Sequence, residues 1–145
     1  MVIHAASWGS YELDDSWTDE TAHVLRRAGG DDSTETLVVH RDPAGAGMTA
    51  DQYARQQQAL LAEKLPGFAL QRASGRRVDG RDAQELAFTW TAPAGPIEQV
   101  QVQVPGRDGM VLFTATGVPR LTPQGHATFL RMLASARIPS TPPGP

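Results

Sequence analysis

Four segments that alternate apolar and polar residues follow one another in the second half of the chain, and this pattern constrains the fold most strongly. Asp79-Gly80, a strong signal for a two-residue hairpin, joins the first segment to the second, and turns rich in proline or glycine join the rest. Strands joined so closely must pair antiparallel, because a parallel crossover needs roughly a dozen residues. We therefore predict an antiparallel meander made of residues 68–78, 84–91, 97–104 and 110–116.

The first third of the chain shows the same period of two. Tyr11 and Leu13 indicate a short strand, and residues 21–28 and 35–41 indicate two longer ones. The sequence Gly-Gly-Asp-Asp at residues 29–32 predicts a turn between the two longer strands. These strands form a second antiparallel group on the N-terminal side of the first helix.

The first helix is predicted from its start and stop signals. Thr49 and Gln52 have the spacing of a capping box, and apolar residues flank them at the positions of a hydrophobic staple. Apolar residues then recur every three or four positions, and Pro66-Gly67 ends the pattern. We predict a helix over residues 50–65.

A second helix completes an α+β pattern. Thr122 is its expected N-cap, Pro123 its first residue, and it should end near residue 136. The element order β-β-β-α-β-β-β-β-α predicts an antiparallel sheet of six to seven strands with both helices packed on one face. A single domain should span residues 1–138, and the proline-rich residues 139–145 should be disordered. The predicted core consists of Leu60, Leu61, Leu65, Leu86, Phe88, Trp90, Val100, Val102, Phe129 and Leu133.

Composition excludes several classes of protein. The 145 residues include no cysteine, which removes disulfides, thiolate metal sites and a cysteine nucleophile. The formal charge of -3 offers no general attraction to nucleic acid or to anionic membranes. Because no apolar run reaches the roughly 18 residues of a membrane span and no secretory signal is visible, we expect a cytoplasmic protein that does not insert into membranes.

Catalytic and cofactor-binding motifs are scarce. Residues 45–50 match G-x-G-x-x-A, but the following elements are hairpins and no acidic residue stands about 20 positions on, so a loop that leads into a capped helix is favoured. The four histidines lack metal-binding spacing, although His23 and His40 lie in neighbouring predicted strands and a cross-strand pair stays open. We predict no catalytic, cofactor-binding or metal-binding residue, and a protein that is not an enzyme.

Basic side chains crowd the hairpin around Asp79-Gly80. Such a cluster could hold a phosphate or an acidic segment of a partner. It is more typical of a solvated strand edge that is protected against aggregation. The cluster consists of Arg72, Arg76, Arg77 and Arg81.

One predicted strand places three amides in a row. Valines at 100, 102 and 104 share one face, and Gln99, Gln101 and Gln103 share the other. If the valines face both helices, no helix remains to cover the glutamines. The glutamine face is then expected either to contact water or to receive a partner.

A series of residues in fixed order runs through nearly the whole chain, from about Tyr11 to Ile138. Its most specific part is the first helix followed by Leu-Pro-Gly-Phe at residues 65–68 and then by the hairpin from Gly80 to Trp90. In this order the series resembles a bacterial family that contains the Eag proteins, which are effector-associated chaperones of type VI secretion, and the more distant DcrB-like lipoproteins. The other matching residues are Trp17, Asp19, Thr21, Arg41, Asp42, Tyr53, Gln57, Ala83, Leu86, Phe88, Gln99, Gln101, residues 113–116, Phe129, Met132, Leu133, Ser135 and Arg137.

The resemblance implies a Mog1/PsbP-like fold and, for the Eag branch, a homodimer whose curved sheets surround the hydrophobic N-terminal helices of a secreted toxin before export. The absence of cysteine argues against the lipoprotein branch, because nothing can be acylated. Either the glutamines hydrogen-bond the bound helix, or their neighbours line most of the groove. The candidate partner-binding residues are Val38, Ala87, Gln99, Gln101, Gln103, Leu112 and Thr114.

Two alternatives stay open from the sequence. One is a protein-binding scaffold of the Mog1 kind, which would engage a folded partner. The other is a small enzyme in which His23 or His40 acts as a base beside Asp42. A stoichiometric metal, or an activity that one histidine substitution abolishes, would favour the enzyme.

Overall fold

A computed structural model describes residues 2–6, 9–13, 22–28 and 34–138 of the chain. Apart from a short 3-10 turn, the described residues form ten helices and strands. Nine of these match the predicted elements in type and order, and strand β1 is additional. The predicted turn at residues 29–32, the tail at 139–145 and Trp17 lie outside the described residues. The elements are β1 (Val2–Ala6), β2 (Gly9–Leu13), β3 (Ala22–Ala28), β4 (Thr34–Asp42), the 3-10 turn Pro43–Gly45, α1 (Ala50–Lys64), β5 (Ala69–Val78), β6 (Arg81–Ala92), β7 (Gly95–Gly106), β8 (Gly109–Val118) and α2 (Pro123–Ser135).

Six strands form one antiparallel sheet in the order β3-β4-β8-β7-β6-β5. The hairpins β5–β6, β6–β7 and β7–β8 form as predicted, and Asp79 and Gly80 both adopt positive φ in the turn between β5 and β6. Strands β1 and β2 pair only with each other, as a separate two-stranded sheet. The α+β fold class is therefore confirmed.

The two helices lie on opposite faces of the sheet, which corrects the prediction that both pack on one face. Strand β8 shows this directly, because its successive side chains point to opposite sides. Phe113 joins the core cluster that contains Phe129 of α2, whereas Leu112 joins the cluster that contains Tyr53 of α1. Alternation in the sequence separates two faces of a strand, but it does not assign a helix to each face.

The core is correspondingly smaller on the α1 side than predicted. Six of the ten predicted core residues are buried: Leu86, Phe88, Val100, Val102, Phe129 and Leu133. On α1, however, Leu60 is 41% exposed, and Leu61 and Leu65 are only partly buried, as is Trp90 of β6. Helix α1 buries Tyr53 and two alanines in its first half instead, because this half lies closest to the sheet.

Local contacts fix where α1 begins. The capping box is present as predicted: Thr49 Oγ1 accepts from the Gln52 backbone N–H at 3.1 Å, and the Thr49 N–H donates to Gln52 Oε1 at 3.0 Å. One turn on, the Tyr53 hydroxyl donates to Asp42 Oδ2 at 2.6 Å, which ties the helix to the end of β4. Burial and this carboxylate raise the pKa of Tyr53 above its ordinary value.

The start of α2 rests on a buried carboxylate. Glu35 of β4 is 6% exposed and accepts hydrogen bonds from the Thr122 N–H at 3.2 Å, the Thr122 hydroxyl at 3.0 Å and the Arg27 guanidinium at 2.9 Å. Burial opposes ionisation, but these bonds outweigh it and lower the pKa of Glu35 below its usual range. A Cβ at position 125 would overlap this carboxylate, so Gly125 is required for the close approach.

Candidate functional site

Helix α1 covers only part of its face of the sheet. It starts beside the end of β4, where Tyr53 meets Asp42, and it ends beside β6, where the Thr91 N–H donates to the Pro66 carbonyl at 2.8 Å. This diagonal course leaves part of β4, β8 and β7 uncovered on the same side. We call the uncovered surface the open face, and it consists of Val24, Val38, Trp90, Gln99, Gln101 and Thr116, with the buried Thr114 beneath Gln101.

A row of polar side chains crosses the open face from β6 to β8. The Trp90 indole N–H donates to Gln99 Oε1 at 2.7 Å, and Gln99 Nε2 donates to Thr116 Oγ1 at 2.9 Å. The next rung runs from Gln101 Nε2 to Thr114 Oγ1 at 3.3 Å. The register explains both rungs, because Gln99 lies opposite Thr116 and Gln101 lies opposite Thr114.

This row of amides and hydroxyls has spare hydrogen-bond donors. Each glutamine amide has two N–H groups, and one of them bonds the threonine opposite. The Thr116 oxygen accepts such a bond on the partly exposed side of the row, so its own O–H can still donate, whereas Thr114 is buried. The open face can therefore donate to carbonyl or hydroxyl oxygens of a partner without breaking its internal bonds.

Apolar side chains border the row of amides on two sides. Val24 on β3 is 54% exposed, and Val38 beside it on β4 is partly buried. Helix α1 forms the border on the other side. Leu60 lies seven residues after Tyr53, so it is on the same flank of the helix, the one that contacts the end of β4. Gln57 lies between them on the same flank and is partly buried. The open face thus combines a polar centre with apolar edges.

The opposite flank of α1 has a different environment. Arg55, Gln58, Ala59 and Ala62 line a shallow depression there, together with Phe68 at the end of the helix–strand connection. The Phe68 ring packs against Phe88 with centroids 5.4 Å apart. Substitutions on this flank therefore provide a control surface that is separate from the open face.

Comparison with known protein families assigns the chain. The sequence profile of the DcrB family matches residues 9–135, which is most of the chain. The chain belongs to the DcrB family. No curated protein shows significant sequence similarity to it.

A solved structure resembles the fold of this DcrB-family chain. It is the crystal structure of PA94 from Pseudomonas aeruginosa, a protein of unknown function described as a candidate regulator, with a TM-score of 0.84 at 19% sequence identity. The match covers 97% of this chain and 99% of that one, so the whole architecture is shared. Within the described residues, no helix is both long and apolar enough to cross a membrane.

The structure places three of the seven predicted partner-binding residues on the open face, Val38, Gln99 and Gln101, and a fourth, Thr114, is buried beneath Gln101 at 9% exposure. Gln103 and Leu112 share this side of the sheet but are covered, at 0% and 4% exposure. Ala87 lies opposite Val100, on the α2 side, so it does not contribute to the same surface. The predicted set therefore spans an exposed patch, a buried border and one residue on the other face.

Gln103 is the buried member of the glutamine row. Its Nε2 donates to Gln101 Oε1 at 2.8 Å, which extends the row of amides under α1. Its own Oε1 finds no hydrogen-bond partner among the described residues. A buried acceptor without a donor is destabilising, so Gln103 supports the position of Gln101 at a cost in folding free energy.

The two histidines of the enzyme hypothesis do not face each other. His23 lies opposite Val39, on the α2 side, whereas His40 lies opposite Leu112, on the α1 side. The cross-strand pair left open from the sequence is therefore absent. Asp42 already accepts from Tyr53 and from the Ala44 N–H. Within the described ranges, no group of three or more histidine or acidic side chains is arranged to hold a metal ion.

Sequence reasoning missed three members of the open face, Val24, Trp90 and Thr116. Trp90 was assigned to the core because it is apolar and follows Leu86 and Phe88 with a period of two. Its indole N–H needs a hydrogen-bond acceptor, however, and it donates to Gln99 Oε1 at the border of the area that α1 covers. The alternation of Thr114 and Thr116 with Phe113 and Ala115 was the available signal for Thr116.

Proposed function

We propose that this DcrB-family chain is a non-enzymatic protein-binding chaperone of the Eag type. It holds the hydrophobic N-terminal helices of a toxin before the toxin is exported by type VI secretion. The open face carries the proposal, because it is a sheet surface with apolar borders and unused hydrogen-bond donors. The sequence resemblance to the Eag proteins supplies the class of partner.

A helix made to enter membranes suits such a surface. Its backbone groups are already hydrogen-bonded within the helix, so a chaperone does not need to satisfy them. Its apolar side chains gain about 25 cal/mol for each Å² removed from water. Val24, Val38 and Leu60 provide apolar contacts at the two borders of the open face.

The amides set the position of the helix. Membrane helices pack against each other through small residues and hydroxyl side chains, which bring oxygens close to the interface. The second N–H groups of Gln99 and Gln101 and the hydroxyl of Thr116 can donate to such oxygens. A polar centre also limits self-association of the empty chaperone, which a large apolar patch would promote.

Two copies would hold more than one helix. We propose a homodimer in the cytoplasm, in which each protomer contributes an open face and the client helices lie between them. If the protein sediments as a monomer at micromolar concentration, the arrangement in which two open faces surround the client is refuted. Single-helix binding by one open face would still be testable in that case.

The first test uses the genetic neighbourhood. A gene for a toxin with apolar N-terminal helices should lie beside the gene for this chain. The N-terminal segment of that toxin is then co-expressed with the chain, and the soluble, co-purified client is measured. If the neighbouring genes encode no such protein, the chaperone proposal loses its partner and a scaffold for a folded protein becomes the better explanation.

Substitutions on the open face locate the binding site. Gln101→Glu replaces the donating amide with a carboxylate of the same shape, and Val38→Asp adds a charge at the apolar border. We expect each variant to bind the client about tenfold more weakly, which corresponds to about 1.4 kcal/mol. Leu112→Asp is unsuitable, because Leu112 is buried against α1 and the variant would unfold.

A matched control is available on the same helix. Gln58→Glu makes the same chemical change on the far flank of α1, beside Phe68. Client binding should be unchanged in this variant, and all variants should retain the wild-type circular dichroism spectrum. Wild-type recovery of client by a Gln101→Glu, Val38→Asp double variant would refute the assignment of the open face.

A further inference from the structure

The two edges of the six-stranded sheet differ in their protection. At one edge, β5 carries Arg72, Arg76 and Arg77 and a bulge after Leu70. Charges and bulges of this kind discourage pairing with another strand. At the other edge, β3 bonds only to β4 within the sheet, and every side chain described on it is exposed.

Strand β3 also presents the two most exposed large apolar side chains in the described part of the chain. Val24 is 54% exposed and points to the α1 side, whereas Leu25 is 57% exposed and points to the α2 side. An edge strand with apolar side chains on both faces is a template for a further strand. Among the described strands only β4 bonds to β3, so the outer edge of β3 has the backbone groups and the side chains that β-strand addition requires.

A cavity of about 230 Å³ lies beside Leu25, between β3 and α2. Its lining is largely apolar, with Leu37 and Leu121 on its walls and Gly125 of α2 at its border. Helix α2 does not extend over Leu25, which explains the high exposure of this leucine. A side chain of a strand added next to β3, placed opposite Leu25, would point into this cavity.

Charge indicates the chemistry of the added strand. Strand β3 has two arginines and no acidic residue. Arg27 pairs with Glu35 at 2.9 Å, whereas Arg26, on the α1 side, makes no ion pair with any residue that the structure describes. An acidic residue placed opposite Arg26 would therefore complement a cation that has no ion-pair partner among the described residues.

We propose that the β3 edge binds an extended segment of a partner protein by strand addition. The segment places an apolar side chain in the cavity beside Leu25 and an acidic side chain next to Arg26. This site touches the open face at Val24, but its main contacts, Leu25 and the cavity, lie on the α2 side, and it does not depend on the proposed chaperone function. The protein then has two binding surfaces: the open face binds a helix, and the β3 edge binds an extended strand.

The probe is a short fluorescent peptide with the central sequence Glu-Leu-Val between threonines. In antiparallel pairing, its glutamate, leucine and valine lie opposite Arg26, Leu25 and Val24, respectively. Fluorescence anisotropy should show saturable binding to the wild-type chain, and amide exchange of β3 should slow when the peptide is added. A peptide of the same composition in scrambled order should not bind.

Variants test the register of the proposed pair. Leu25→Lys should weaken binding about tenfold, and Arg26→Glu should weaken it similarly. Arg26→Glu should regain affinity for a peptide in which the glutamate is replaced by lysine, a rescue that a merely destabilised protein would not show. Leu70→Lys, on the opposite edge, is the matched control and should bind like the wild type.

Three outcomes would overturn the proposal. The first is equal binding by the wild type and Leu25→Lys, and the second is the absence of rescue by the lysine peptide. The third is a wild-type dimer that Leu25→Lys converts to monomer in sedimentation experiments, because the edge would then be an interface between two copies. Loss of client binding in Gln101→Glu with normal peptide binding would show that the two sites are independent.

Discussion

Strands β7 and β8, at the centre of the sheet, present two different surfaces on their two faces. On the α2 side, Val100, Val102 and Phe113 pack under Phe129 into a continuous apolar core. On the α1 side, glutamines and threonines alternate with those residues, and helix α1 covers only part of them. The first surface serves stability, whereas the second combines moderate stability with an exposed polar row.

The helices follow the same division. Helix α2 buries Phe129 and Leu133 and is anchored on the carboxylate of Glu35. Helix α1 buries Tyr53 with two alanines and leaves Leu60 exposed. The α2 side therefore holds the larger cluster of buried apolar residues, and the α1 side keeps a polar row that is only partly covered.

The largest expected effect comes from equal truncations on the two helices. Leu133→Ala should lower the free energy of unfolding by about 2–5 kcal/mol, because it opens a cavity in the α2-side core. Leu60→Ala should change it by less than about 0.5 kcal/mol, because this side chain is 41% exposed. Urea denaturation of both variants measures the difference. Equal losses would mean that the two faces share the core more evenly than the structure shows.

The second prediction concerns the anchor of α2. Glu35→Gln should cost about 2 kcal/mol at neutral pH, because hydrogen bonds from Arg27 and Thr122 lose their charged acceptor. The pKa of Glu35 is lowered in the folded state, so its contribution is complete above the ordinary carboxyl pKa of 4.5. It is lost as the pH falls from there through the lower folded value.

Denaturation at several pH values checks this dependence. The gap between the wild type and Glu35→Gln should be constant near neutrality and should narrow below about pH 4.5. Arg77→Gln is a suitable control, because the Arg77–Asp82 pair is solvent-exposed and should contribute little at any pH. A gap that widened on acidification would contradict the lowered pKa of Glu35.

Effects of opposite sign come from exchanging polarity between adjacent residues of β7. Val102→Thr should cost about 1–3 kcal/mol, because it buries a hydroxyl in the apolar core. Gln103→Leu should be neutral or stabilising by up to about 1 kcal/mol, because it removes a buried oxygen without a donor. Thermal denaturation of the two variants gives the sign. A strongly destabilised Gln103→Leu variant would show that the amide row contributes more than its bonds suggest.

Local signals in the sequence predicted most of the fold. The capping box at Thr49, the proline after Thr122 and the Asp79-Gly80 turn each act through neighbouring residues, and all three are present. The period of two along β7 correctly separated valines from glutamines. These features depend on backbone geometry within a few residues, which the sequence contains.

The position of α1 was not predictable in the same way. Its apolar stripe shows that it packs on the sheet, but either face would satisfy that stripe. The choice depends on distant contacts, such as the hydrogen bond between Tyr53 and Asp42. The candidate site depended on that choice: Gln101 is partly exposed, whereas Gln103 is covered by the helix that was assigned to the other side.

The alternation of valine and glutamine along β7 also bears on how accurately the sheet assembles. A shift of one residue between β7 and its neighbours would turn the three amides toward α2 and the three valines away from it. Each buried amide left without partners costs about 1–3 kcal/mol, and a domain has only about 5–15 kcal/mol of stability in total. The glutamine row therefore favours the native strand register, because a sheet shifted by one residue would be too unstable to persist.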